Sequence, residues 1–242
     1  MKKNLLFIAG LWVAILSAHG GYAQAVKRAR TRPITFTTRE ASIKKVLYPL
    51  AEMLKAGELE VVNREATAFE AADKKGIKLS ARENDGVAWL KNVDFTNGVI
   101  ELDIKGKDVL QHSFVGIAFH GTGSPNTMDV VYFRPFNFRA PDSVRRIHAV
   151  QYVSLPQFDW EILREKYNGQ YEKDIRLPPM ADGWFHVKIV VKSPHVLVFV
   201  DGHSNPSLAV KRLNSTTHGK IGLWVGNTSD GEFANLTVDF TE

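Results

Sequence analysis

The sequence predicts an all-β protein built from two antiparallel sheets packed face to face, and three observations carry that expectation. Apolar residues recur at every second position through most of the chain, turn residues punctuate them at short intervals, and no helical pattern is long enough to cover a sheet. The run from Trp184 to Phe240 is the clearest case. In WFHVKIVVK the apolar set Phe185, Val187, Ile189 and Val191 alternates with His186, Lys188 and Lys192, the period of a strand with one buried face. Ser193-Pro194-His195 turns the chain into Val196–Val200, and Asp201-Gly202 supplies the positive-φ position of a tight reversal. Leu208–Leu213, GKIGLWVG and GEFANLTVDF complete the series.

Upstream, Ile43, Val46, Leu47, Leu50 and Leu54 are at helical spacing, but Pro49 interrupts them, so a short helix is expected to begin near Pro49 and end before Gly57. Strands are predicted at Glu58–Asn63, Gly76–Leu79, Gly86–Leu90 and Gly98–Lys105, then at Phe114–His120, Val130–Phe138 and Ala149–Val153. One long connection follows, containing DWEILREKYNGQYE. Asp159 is placed to cap a two-turn helix with Trp160, Leu163 and Tyr167 on one face, ended by Asn168-Gly169. A loop of that length with that aromatic content is expected to serve function.

The N-terminus carries Lys2 and Lys3, an apolar stretch from Leu5 to Ser17 and the small-x-small sequence Ala23-Gln24-Ala25, the pattern of a secretory signal peptide over residues 1–25. The stretch is too short for a comfortable membrane span, so the expected location is secreted or periplasmic. There is no cysteine, which excludes disulfides, thiolate metal sites and thiol nucleophiles. The formal charge of +5 is concentrated at the start, where Lys27, Arg28, Arg30 and Arg32 lie together in a basic flexible tail over residues 26–38. With the leader and this cluster set aside the charges nearly balance, so no basic face for nucleic acid is expected. Residues 39–242 are read as a single sandwich domain.

The segments FTNGVIELDIKG, SFVGIAFHG, HAVQYVS, GWFHVKIVVK, VLVFVDG and GKIGLWVGNTSDGEFANLTV span nearly all of the chain beyond Gly86. Their order resembles the concanavalin A-like jelly roll of legume-type lectins, laminin G-like domains and family 16 glucanases. Within that superfamily the chain most resembles exported bacterial 3-keto-disaccharide hydrolase domains, through GIAFH at 116–120 and AVQYV at 149–153, although that group's arginine after the first strand is His120 here. The resemblance implies carbohydrate as the partner, with either glycan binding or cleavage of a 3-keto-glycoside as the activity. A non-catalytic laminin G-like adhesion module, with a cell-surface glycan or protein as partner, is the alternative.

Glu101 and Asp103 stand where the glucanase pattern Glu-x-Asp-x-x-Glu has its first two acids, but Gly106 occupies the third place. A retaining glycosidase needs two carboxyls roughly 5 Å apart, so that chemistry is disfavoured. The stretch VVYFRPFNFRAPDSVRRIHAVQYVS is more suggestive. Tyr132 and Arg134 share one strand face while Val131 and Phe133 share the other, and Gln151 and Tyr152 lie on the expected neighbouring strand. Arginine and glutamine offer forked hydrogen bonds to vicinal hydroxyls, and aromatic rings offer a flat surface to a pyranose. Trp160, Arg164 and Tyr171 in the long connection are expected to close over this face as further sugar contacts. Glu172 and His120 are the candidates for proton transfer. His120, His148 and His186 show no metal-binding spacing; calcium, with Asp129 or Asp142 as oxygen donor, is the ion that suits the fold, and no dedicated acidic loop is present. Trp224 is expected either to present a sugar platform or to pack on Trp184.

A basic segment with few large apolar groups cannot offset its own ordering entropy. Deleting residues 26–38 is therefore expected to leave the melting temperature unchanged to within about 2 °C, as measured by calorimetry, against the several degrees that accompany a loss of about 1 kcal/mol.

Overall fold

The structure is a computed structural model that describes residues 44–71, 73–123 and 127–241. The leader and tail expected over residues 1–38 lie outside the described residues. The described chain runs β1 (Lys44–Tyr48), α1 (Leu50–Lys55), β2 (Leu59–Val62), β3 (Ala66–Ala71), β4 (Lys74–Leu79), β5 (Gly86–Leu90), β6 (Asn97–Lys105), β7 (Val115–Gly121) and β8 (Met128–Phe133). It continues through α2 (Pro135–Phe138), α3 (Ser143–Arg146), β9 (Val150–Leu155), α4 (Trp160–Lys166), β10 (Glu172–Lys173), β11 (Trp184–Lys192), β12 (His195–Val200), β13 (Leu208–Lys211), β14 (Lys220–Val225) and β15 (Gly231–Thr241).

These strands form the expected antiparallel sandwich. The first sheet has the order β13-β12-β11-β6-β15-β4-β3, with β1 also paired to β15, and the second has the order β10-β9-β8-β7-β14-β5-β2. Period-2 alternation turns Ile100, Leu102, Ile104, Val187 and Phe233 of the first sheet toward Ile117, Phe119, Val131, Phe133 and Leu223 of the second. Each such side chain, fully buried, contributes about 1.5–3 kcal/mol. The second sheet also carries an apolar cluster on its outer face, formed by Val87, Trp89, Ala118, Val130, Tyr132, Val153 and Trp224 and covered at one edge by Leu163 of α4. An outer face that is itself apolar and partly covered marks this sheet as the one that holds a site.

Four strands depart from the sequence reading. β1 falls in the stretch with helical spacing, where pairing along β15 from Lys44↔Phe240 to Tyr48↔Leu236 prevails over local periodicity, and α1 begins only after Pro49. β3 and β10 are too short or too weakly alternating to show in sequence, and each is held by a hydrogen-bonded neighbour, β4 and β9 respectively. The strand expected over Val130–Phe138 ends at Phe133, because Pro135 opens the helical turn α2.

Glu101 and Asp103 lie on β6, in the middle of the first sheet and on its outer face, far from the apolar outer face of the second. Asp103 accepts hydrogen bonds from Lys74 Nζ (3.0 Å) and Asn235 Nδ2 (2.6 Å) and pairs with His186 Nδ1 (2.9 Å). Asn235 reaches it from an irregularity in β15, where the register with β6 shifts between Ala234 and Thr237 and Asn235 adopts φ 55°. Burial pushes the Asp103 carboxyl up, but the bonds from His186, Asn235 and Lys74 outweigh it and bring it down to about 2. His186 is raised, chiefly by its hydrogen bond to Asp103. The Asp103 contribution to stability is complete above its unfolded value of about 3.9 and is lost as pH falls toward about 2; that of His186 is complete below its unfolded value and is lost as pH rises through the raised one. In Asp103→Asn the His186 titration midpoint, followed by NMR, is expected to fall, and the acid limb of the stability–pH curve to flatten.

Candidate functional site

One line of register organises the outer face of the second sheet. Glu172 pairs with Gln151, Gln151 with Tyr132, Tyr132 with Gly116 and Gly116 with Trp224. Residues directly opposite one another in an antiparallel sheet share a face, so Glu172, Gln151, Tyr132 and Trp224 all project outward. Glycine at 116 leaves the gap that lets the Tyr132 and Trp224 rings approach, with centroids 5.2 Å apart. A Cβ there would lie 2.2 Å from the Val131 carbonyl oxygen and 2.6 Å from Tyr132 Cα.

Above this row opens a cleft of about 1030 Å³. Its apolar lining includes Phe114, Phe136, Tyr132, Trp160 and Trp224; its polar lining includes Arg134, Arg145, Arg164, His112, His148, Asn137, Asn227, Asp85 and Asp159. Loops supply most of these groups, and His112 Nδ1 meets Thr228 Oγ1 at 2.7 Å to tie the β6–β7 connection to the β14–β15 connection.

The floor is a closed hydrogen-bond set. Arg134 Nη2 donates to Tyr132 Oη and Gln151 Oε1, both at 2.6 Å, and Tyr132 Oη donates to Gln151 Oε1 at 2.7 Å. Arg134 Nη1 donates to the His148 carbonyl at 3.0 Å, and the guanidinium lies over the Tyr132 and Phe114 rings, 4.8 and 5.6 Å from their centroids. Burial pushes the Tyr132 phenol up to about 12, so it stays protonated and donates. Gln151 is 0 % exposed, and its Nε2, like Trp224 Nε1, has no acceptor among the described residues. Both nitrogens are buried, beyond the reach of solvent.

Glu172 is 3 % exposed and lies behind the cleft wall. Arg164 binds it through two bonds, Nε to Oε1 at 3.0 Å and Nη2 to Oε2 at 2.8 Å; His148 Nδ1 is 2.6 Å from Oε2 and Arg134 Nη1 is 3.7 Å away. Burial pushes this carboxyl up, but the Arg164 bonds and charge, with His148, hold it below the usual carboxylate range. Such a carboxylate is ionised and fully engaged, so it orients two arginines and a histidine and is not available as a proton carrier. This corrects the catalytic role expected for Glu172.

His120 is corrected too. Alternation would send it outward beside Ala118, but φ is 52° at His120 and the β7–β14 register shifts between Lys220 and Gly222, and this irregularity turns the ring inward. There it is fully buried, stacks on Phe95 (5.8 Å) and bonds Asp129 Oδ2 (3.0 Å) and the Thr96 carbonyl (2.9 Å). Tyr152 follows Gln151 on β9 and so faces the opposite way, into the core, where it donates to Asp129 Oδ1 at 2.7 Å. Tyr171 is absent from the cleft lining and packs on Tyr152 and Tyr167, at 5.9 and 5.7 Å. Tyr132, Arg134, Trp160 and Arg164 do line the cleft, and Gln151 lies immediately beneath it. Asp129 is an interior residue of β8 whose oxygens also accept from Ser154, Arg212 and Asn214, while the exposed Asp142 uses Oδ1 to cap α3 through Val144 N. Among the described residues no group of three or more His, Asp or Glu could hold a metal ion. Trp224 packs on Tyr132 in the cleft, while Trp184 packs on Phe69.

The sequence reading missed Asp85, Phe114, Phe136, Asn137, Arg145 and Asn227. Asp85, Phe114 and Asn227 stand in loops, and Phe136, Asn137 and Arg145 in one-turn helices, where no periodicity marks a face. Asp85 lines the cleft beside Asn227; burial pushes its carboxyl up, against the opposing charge of Arg64 and a hydrogen bond with the Asn227 backbone.

No family model matches the chain, and no curated protein matches its sequence. Solved structures do share the fold. A Bacillus subtilis protein of unknown function with a galectin-like fold superposes with a TM-score of 0.53 at 15% identity, over 83% of this chain and 100% of the other. Carbohydrate-binding module CBM66 from Bacillus subtilis gives 0.52 at 13% identity over 75% and 95%, and a native glycosidic hydrolase gives 0.52 at 13% over 81% and 95%. At 15% identity or less this likeness shows the fold, a two-sheet antiparallel jelly-roll sandwich.

Removing the charge of Glu172 while keeping its shape leaves Arg134, Arg164 and His148 without their counter-ion. Glu172→Gln is expected to destabilise the fold by roughly 2–4 kcal/mol in urea denaturation, below the top of the range for a broken buried pair because the Arg164 side chain is 36 % exposed.

Proposed function

We propose that this protein is exported and binds carbohydrate in the cleft on the outer face of its second sheet. The observation that carries the reading is the pairing, in one cleft, of aromatic surfaces with fixed, forked hydrogen-bond donors: Trp160 and Trp224 beside the Arg134, Tyr132 and Gln151 network. Pyranoses combine apolar C–H faces with vicinal hydroxyls, and both halves of that chemistry are met here. The carbohydrate-binding module and the glycosidic hydrolase among the structural neighbours are consistent with this use of the fold, which supports many functions. A cleft of this size suits a small ligand better than the flat surface of an adhesion module.

A processing version of the same reading is cleavage of a 3-keto-glycoside, the activity the sequence resemblance implies. The ketone at C3 acidifies the proton at C2, so one base suffices: the C2 proton passes to a carboxylate, the C1–O bond breaks, and the leaving oxygen takes up a proton. Asp85 supports this version, because it lines the cleft and burial raises its basicity, whereas Asp159 Oδ1 is occupied in capping α4.

A glycan array run beside a 3-keto-disaccharide turnover assay tests both versions. Trp160→Ala, at a side chain already 48 % exposed, is expected to weaken sugar binding about tenfold without altering the melting curve. Asp85→Asn is expected to reduce any turnover about 10²- to 10⁴-fold while sugar is still bound. A wild-type protein that binds no glycan and turns over none ends the proposal.

A further inference from the structure

The charges around the cleft are unevenly distributed. At its β9–β10 side, three guanidiniums, those of Arg134, Arg145 and Arg164, line the cleft against two carboxylates, Asp159 in the lining at the start of α4 and Glu172 behind the wall. Glu172 is shared by Arg134 and Arg164, so at most one of the pair is neutralised. Arg145 has no carboxylate within ion-pair distance among the described residues. Its guanidinium is held instead by neutral acceptors, Nε on Asn137 Oδ1 at 3.2 Å and Nη2 on the Phe136 carbonyl. The whole connection from Arg134 to His148 adds Arg139 and Arg146, which also bond carbonyl oxygens, against one acid, the exposed Asp142 that caps α3. Asp85, a further acid of the lining, precedes β5, four strands across the sheet from β9.

A positive charge held in place without a counter-ion, in a cleft whose aromatic walls lower the local dielectric, favours an anionic ligand group. The planar guanidinium fork matches a carboxylate or a sulfate. Trp160 carries Arg164 over its ring, 5.2 Å from the centroid, so the apolar surface and the positive charge are presented together. We infer that the sugar taken by this cleft is acidic, with a uronate carboxylate or a sulfate ester seated at the Arg145 and Arg164 side and the pyranose face on the tryptophans. This rests on the carbohydrate reading above and narrows it to a substrate class.

The experiment uses the full chain and oligosaccharides in matched pairs: oligogalacturonate, oligomannuronate and oligoglucuronate against their methyl esters, and a sulfated oligosaccharide against its desulfated form. At low salt one acidic member is expected to bind about tenfold or more tightly than its neutral partner, the scale of a charge-assisted hydrogen bond, with the preference shrinking as salt rises. Whether the uronate or the sulfate pair responds identifies the anion. Arg145→Gln keeps a donor for the Phe136 carbonyl and removes the charge; its acid-to-neutral affinity ratio is expected to drop toward one, and Arg145→Lys to retain part of it, with both melting curves near wild type. Neutral members binding as well as acidic ones, or a ratio unchanged in Arg145→Gln, overturns the acidic class and leaves carbohydrate binding standing. Binding to no member of any pair, with the array also empty, overturns both.

Discussion

The buried carboxylate of Glu172 is the constraint on which the cleft depends. A charge taken out of water must be compensated on the spot, and here the compensation comes from elements that are distant in sequence: Arg164 from α4, His148 from the end of the β8–β9 connection, and Arg134 from the end of β8. Satisfying one carboxylate therefore fixes a helix, a loop and a strand end together. The Arg164 bonds are bidentate, so they set orientation as well as distance. With Arg164 fixed, Trp160 one turn earlier in α4 is held beneath its guanidinium and at the cleft.

The second determinant is register. Gln151, Tyr132 and Trp224 meet because three successive strand pairings bring them into one row, and Gly116 removes the side chain that would have separated the two rings. A slip of one residue in any of those pairings would exchange the outer face for the core face. The apolar outer cluster and the interior cluster on either side of the second sheet resist such a slip from both directions, since each has side chains that fit only there.

The polar residues of the sandwich interior have a separate role. Asp129 gathers His120, Tyr152, Ser154, Arg212 and Asn214, and so ties the segment after β13 to the strands beneath. Burial pushes the Asp129 carboxyl up, yet the bonds from His120 and Tyr152, the Arg212 charge and the Ser154 bond hold it low and ionised. Buried polar groups with their hydrogen-bonding capacity filled in this way fasten a fold, whereas Gln151 Nε2 and Trp224 Nε1 are buried without an acceptor among the described residues.

Local chemistry by itself determined much of the strand framework. Alternation along Trp184–Lys192, the reversal at Asp201-Gly202, the short helix after Pro49 and the Asp159 cap are all set by neighbours close in the chain, and the face shared by Tyr132 and Arg134 follows from the same period. Only the tertiary structure decided which titratable groups reach solvent. Two-residue periodicity cannot register an irregularity such as the one that turns His120 inward, and Tyr152 shows that adjacent strand residues cannot share a cleft. Nor could it reveal that Glu172, on a two-residue strand, is enclosed by basic side chains from three other segments, or that Asp85 from a loop and Arg145 from the one-turn helix α3 line the cleft. Ionisation and access depend on what surrounds a group in space, and that is set by long-range pairing.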